Sequence, residues 1–159
     1  MIKIDIVGGI LGTTGYDSHT RSLANALYKV ADCRLLSQLP ADWMKYVNDA
    51  ELKMIMKPER KPDYNLIITM PHQWKLFTGL GKNIGYCVWE GSNVPESWID
   101  EFLNPKIDYI FVPSEHTKKA IVKTVESLIP GKCESNHDDI YDKIKIIPHG
   151  VNREIFNTK

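Results

Sequence analysis

The side chains of this chain that are equipped for chemistry are few, and most of them are hydrogen-bonding groups. They are Glu90, His72, His149, Ser92, Asn93, Ser114 and Glu115, together with the glycine-rich turn GGILGTTGYDS. That turn carries Gly8, Gly9, Gly12 and Gly15, with Tyr16 directly after. Each group stands where an apolar, strand-like run gives way to a polar turn. Neutral amides, hydroxyls and a few ionisable tips suit a polyhydroxylated ligand. No nucleophile–base pair is evident in the set. Glu90 and His72 are the candidates for a catalytic part. Gly12, Gly15, Tyr16, Ser92, Asn93, Ser114 and His149 are the candidates for substrate binding. A lone histidine is more often structural; what recommends His72 is its place at the same sheet edge as the glycine turn and Glu90.

The glycine turn admits three readings. A dinucleotide site of the form GxGxxG would need glycine at Val7 or Ile10, and the next strand carries no acidic residue to hold a ribose. A P-loop would need Gly-Lys-Ser/Thr, which is missing. A plain flexible connection is the bland account. The preferred one is a loop whose backbone approaches a ligand, beside a helix N-terminus that favours anions.

These residues must be positioned by alternating strands and helices. Ile2–Val7, Cys33–Ser37, Asn65–Met70, Ile84–Trp89, Tyr109–Val112 and Lys145–Ile147 are apolar runs of strand length. A helix is expected from about Ser18 to Val30, with Leu23, Ala24, Leu27 and Val30 at helical spacing and Asp17 or Ser18 as its cap. A second helix starts near Pro95, placing Trp98, Ile99, Phe102 and Leu103 on one face. A third is capped by Ser114 after Pro113 breaks its strand. Trp43, Met44 and Val47 suggest a short helix, and Leu52–Met56 is ambiguous between helix and strand. The charged, proline-broken stretch 57–62 and the polar stretch 130–143 read as solvated loops, the latter in spite of His137, Asp138, Asp139 and Asp142, which invite a metal reading. Strand–turn–helix units joined by short turns give a doubly wound, Rossmann-like parallel α/β sheet. Ligands bind such sheets beyond the carboxyl ends of the strands.

Composition narrows the classes. The 159 residues make one domain of ordinary size, and 20 basic residues cancel 20 acidic ones. Bulk charge therefore recommends neither nucleic acid nor an anionic membrane as partner. Cys33, Cys87 and Cys133 form no CxxC pair, and no metal site is expected. Scattered thiols and a strand at the N-terminus point to a reduced, cytoplasmic setting with no signal peptide. No apolar run approaches the ~20 residues of a membrane span.

Three ordered motifs then carry a family resemblance across about half of the chain. They are Trp89-Glu90 with Pro95 and Trp98; Val112-Pro113-Ser114; and Ile147-Pro148-His149-Gly150-Val151-Asn152 with Phe156. Asn152 stands where the pattern usually has Asp. The segment resembles the acceptor-side, amino-terminal half of retaining glycosyltransferases of the GT-B fold, the family 4 group. Gly12, Gly15 and Tyr16 match that family's glycine turn, which the resemblance puts at an interdomain cleft near the donor diphosphate and the acceptor. It implies transfer of a sugar from a nucleotide sugar to an acceptor hydroxyl of a glycan, lipid or protein, with no bound metal or other cofactor. It also implies a C-terminal donor-binding domain, in cis or in trans, beyond residue 159, so that this domain alone would be inactive. Many members carry a histidine at the position of Glu90, which leaves Glu90 three roles: contacting the sugar, orienting the acceptor or bracing the Pro95 helix. Two other readings stay open, a non-catalytic sugar- or nucleotide-binding module and half of a nucleotide-sugar epimerase.

Overall fold

A computed structural model describes residues 1–37, 47–129 and 137–150. Their strands are β1 (Lys3–Gly8), β2 (Asp32–Ser37), β3 (Tyr64–Ile68), β4 (Lys82–Tyr86), β5 (Tyr109–Val112) and β6 (Ile144–Ile146). The helices are α1 (Gly15–Leu27), α2 (Asp49–Ile55), α3 (Ile99–Phe102), α4 (Glu115–Leu128) and α5 (His137–Lys143). Short 3₁₀ segments at Pro71–Leu76 and Glu96–Trp98 complete the list.

All six strands run parallel in one sheet of order β2-β1-β3-β4-β5-β6. The expected doubly wound α/β architecture is present. Strand side chains alternate between two cores. Leu66, Ile68, Ile84 and Tyr86 pack with Ala24 of α1 and Met54 of α2. Ile67, Ile110 and Val112 face the other way, onto Trp74, Trp98, Phe102, Ile121 and Val125. Burial on both faces explains why the central strands read as continuous apolar runs rather than alternating ones.

The direction in which strands are added reverses between β1 and β3. From β1 the chain steps outward to β2, then crosses back to lay β3 on the opposite edge of β1. In open α/β sheets such a reversal is the place where ligands bind, beyond the carboxyl ends of the strands. Here Gly9–Thr14 follow β1 and Thr69–Leu76 follow β3 at that edge.

Several expectations are corrected in detail. Helix α1 begins at Gly15, and its cap is Thr14 rather than Asp17 or Ser18. The Thr14 hydroxyl accepts from the Asp17 amide while the Asp17 carboxylate reaches back to the Thr14 amide, a reciprocal arrangement that outcompetes a cap further along. Pro95 precedes a 3₁₀ turn instead of opening an α-helix, although Trp98, Ile99 and Phe102 are buried as expected. Residues 52–56 resolve as the end of α2, started by an Asn48–Glu51 capping box. The stretch 137–143 is helical, not loop, anchored by buried Ile140. The suggested helix at Trp43 and Met44, and Cys133, lie outside the described residues.

The charged stretch 57–62 is only partly solvated. Arg60 reaches back to the strands, donating to Asp5 Oδ1 (3.2 Å) and to the Asp32 carbonyl (2.6 Å). Asp5 is buried and sits in register with Arg34, whose Nη2 lies 2.5 Å from it. Lys57 and Arg60 both pair with the Asp32 carboxylate. A carboxylate within a central strand is expensive to bury alone, and two guanidiniums make it tenable.

Candidate functional site

The glycine turn is organised from within by one carboxylate. Asp17 accepts hydrogen bonds from the Gly12 amide (3.0 Å), the Thr14 amide (3.1 Å) and the Thr14 hydroxyl. Burial opposes its ionisation, but these bonds, led by the Thr14 hydroxyl, hold its carboxyl below the usual range. A Cβ at Gly9 or at Gly12 would lie 2.8 Å from an oxygen of that carboxylate. A side chain at either position would push the Asp17 carboxylate from its hydrogen bonds to the turn. Arg21 adds a second tie, its Nη1 donating to the carbonyls of Ile10 and Gly12 at 2.8 Å each.

Gly15 differs. It is the first residue of α1, and a Cβ there would meet nothing within 4 Å. Its φ is not positive; Gly81 is the only positive-φ residue among those described. The space over Gly15 is open, and no backbone strain demands glycine.

The expected anion preference of this helix terminus is weakened. Asp17 takes the Gly12 and Thr14 amides and places a negative charge at this terminus, which opposes an incoming anion.

Tyr16 reaches the segment after β3, its hydroxyl 3.7 Å from Met70 Sδ, just before Pro71 and exposed His72. Burial, with a smaller contribution from Cys87, pushes the Tyr16 phenol up to about 12, against a lowering hydrogen bond to the Val88 backbone. Burial also pushes the Cys87 thiol up to about 12. Neither is a nucleophile near neutral pH, and Tyr16 serves as a neutral donor and acceptor.

The loop after β4 is held by the first turn of α4. Thr117 Oγ1 donates to the Trp89 carbonyl (3.0 Å), and His116 Nε2 lies 3.0 Å from the Glu90 carbonyl. Trp89 Nε1 donates to the Asn93 carbonyl (2.7 Å), closing the loop on itself, and its ring meets Trp98 edge-on at 5.0 Å. A Cβ at Gly91 would meet that indole at 2.7 Å. Glu90, Ser92 and Asn93 consequently present exposed side chains on a fixed loop. Ser114 is the cap of α4, accepting from the Thr117 amide at 3.2 Å, which makes its hydroxyl a structural group.

His149 leaves β6 beside a third group of rings. It lies 4.4 Å from His19 of α1 and 5.9 Å from Tyr86, centroid to centroid. The Tyr86 hydroxyl donates to the Ile147 carbonyl at 2.9 Å.

The sequence-predicted residues thus share one edge of the sheet. Tyr16 meets the segment leading to His72, while Glu90, Ser92 and Asn93 share the loop after β4. Among the described residues neither Glu90 nor His72 makes a side-chain hydrogen bond, so the two do not form a preassembled pair. Sequence reasoning passed over Asp17 as more than a cap, and missed His19, His116 and Thr117. The available signal for His116 and Thr117 was their place in the first turn after the Ser114 cap, opposite the preceding loop. Among the described residues no group of three or more His, Cys, Asp or Glu is arranged to hold a metal ion. No helix among them is long and apolar enough to cross a membrane. No family model, curated protein or solved structure matches the chain.

Proposed function

We propose that this chain is the acceptor-binding domain of a retaining glycosyltransferase of the GT-B type. The observation that carries the reading is the contact across the carboxyl ends of β1 and β3, where Tyr16 of the glycine turn meets Met70 just before His72. Hydroxyl-bearing and amide groups suit an acceptor sugar or another polyhydroxylated molecule. The Trp-Glu, Val-Pro-Ser and Ile-Pro-His-Gly motifs support the same reading.

In this role the open space over Gly15 admits the acceptor, and Tyr16 and His72 hydrogen-bond its hydroxyls. Glu90 and the Ser92–Asn93 loop contact the sugar undergoing transfer, and Glu90 orients the acceptor oxygen. His149 borders the same edge, and Ser114 acts by fixing α4 against the Glu90 loop. The nucleotide sugar is a co-substrate gripped chiefly by a C-terminal domain, in cis or in trans. Orientation and leaving-group stabilisation are each worth several kcal/mol in enzymes, so residues 1–159 alone should neither transfer sugar nor hold a nucleotide sugar tightly.

A non-catalytic sugar-binding module is the second reading. The unpaired state of Glu90 and His72 favours it, since catalytic carboxylates and histidines are commonly oriented by a partner.

Amide chemical shifts followed during titration with a panel of neutral saccharides test the proposal. Shifts are expected at Gly12–Tyr16, His72 and Glu90–Asn93, with no micromolar nucleotide-sugar binding by calorimetry. Tight nucleotide-sugar binding by residues 1–159, or saccharide shifts confined to another face, would overturn it.

A further inference from the structure

His19 Nε2 is a buried side-chain nitrogen with no hydrogen-bond partner, the single such atom among the described residues. It belongs to a cluster joining three parts of the chain. His19 stands on α1, Tyr86 ends β4, and His149 lies just past the end of β6. The His19 ring centroid is 4.7 Å from Tyr86 and 4.4 Å from His149. The Tyr86 hydroxyl holds the Ile147 carbonyl, and the Ile147 amide donates to the Val112 carbonyl at 2.8 Å. The exit segment Ile147–Gly150 is thus fastened to the sheet edge by these rings and two hydrogen bonds.

We propose that His19, Tyr86 and His149 form a pH-sensitive latch, which holds Ile147–Gly150 on the sheet while His19 is neutral and releases it when His19 gains a proton. The chemistry is local. With its proton on Nδ1, neutral His19 leaves only a bare lone pair at Nε2. The cation places an N–H there with nothing to accept it, against a second imidazole. The groups facing His19 are the neutral phenol of Tyr86 from β4 and His149 from the exit segment. On its own helix, the Asp17 carboxylate is committed to Gly12 and Thr14, and Arg21 to Ile10 and Gly12. Among the described residues no carboxylate is shown paired with His19 to compensate the new charge. The exposed member, His149, is the one free to move away.

The direction follows from linkage. Burial, then the neighbouring His149, holds His19 below its ordinary value of 6.5 in the latched form. The released form, with an ordinary histidine, binds more protons. Latching is therefore complete above the ordinary value. It is lost as pH falls through that value towards the lowered one, and changes no further below it.

Amide hydrogen exchange, corrected for intrinsic rates, measures this on the full chain. Protection at the Ile147 amide should fall by up to about tenfold per pH unit below the ordinary histidine range. Leu66 and Ile67 in β3 should keep theirs. His19→Phe retains the ring and removes the proton, so Ile147 protection should become independent of pH. Should that variant fail to fold, His149→Phe serves, with a weakened dependence expected. Flat Ile147 protection from about pH 7.5 to about pH 5, an equal fall in His19→Phe, or loss shared with β3 would each overturn the latch.

Discussion

At the scale of single residues, the four glycines of the first turn are not equivalent. Gly9 and Gly12 are fixed by the Asp17 carboxylate against them, whereas Gly15 faces open space with an ordinary backbone. Gly15→Val should therefore leave the fold within roughly 0.5 kcal/mol of the parent, as exposed substitutions generally do, while lowering saccharide affinity at least about tenfold, or ~1.4 kcal/mol. Thermal melts and saccharide titration on the same variant check this. Unchanged affinity would reduce the turn to a connection, and unfolding would make Gly15 structural. The composition of the turn was legible in the sequence. The division of labour within it was not, because it depends on where one carboxylate folds back, and nothing in the spacing of Asp17 distinguishes a cap from a keystone. That His72, Glu90 and Asn93 follow the carboxyl ends of strands was likewise legible in the strand–turn–helix pattern. The clasp on their loop by His116 and Thr117 is a contact between elements and leaves no periodic trace.

At the scale of elements, apolar runs marked all six strands to within a few residues. Tyr109–Val112 came out unchanged, while Asn65–Met70 moved to Tyr64–Ile68. The shift has a cause, because Trp74 Nε1 takes the Thr69 carbonyl (3.1 Å) and turns the chain out of the ladder early. The same indole explains a glycine inside β4. A Cβ on Gly85 would lie 2.5 Å from three atoms of the fully buried Trp74 ring. Gly85→Ala is thus expected to destabilise by about 1–3 kcal/mol through overpacking, lowering Tm by roughly 2–4 °C per kcal/mol. A melt equal to or above the parent's would show that the 71–76 segment moves aside without cost. Helix α5 went unread because its sequence is dominated by charge, with Ile140 as its buried anchor.

At the scale of the whole molecule, the ion cluster around Asp5 and Asp32 ties β1, β2 and the segment following α2 into one unit. Arg60 and, secondarily, Lys57 hold the Asp32 carboxyl at about 2, below its ordinary 3.8. A depressed carboxylate adds stability above its unfolded value and loses it as pH falls through the folded one. Lys57→Met should accordingly melt lower than the parent by a few degrees at most near neutrality, since the pair is partly exposed. That gap should close as pH drops from 3.8 towards about 2. A gap unchanged down to the lower value would assign the loss to packing of Lys57 on Tyr28 instead.

The placement of β1 inside the sheet has a consequence for how the chain is made. Strand β1 is an interior one, and its second edge is filled by a segment 60 residues later, as the Lys3–Asp63 bond marks. At the ~5–20 residues per second of synthesis, that edge stays bare for roughly 3–12 s. All six strands being parallel, no tight turn between neighbours can shorten the wait. The nascent β1–β2 unit therefore passes through a period with apolar faces and the β1 edge open as well as that of β2, the condition that invites pairing with another chain. Asp5, set in the middle of β1 with no second guanidinium until Arg60 emerges, makes that edge a poor template for a stranger.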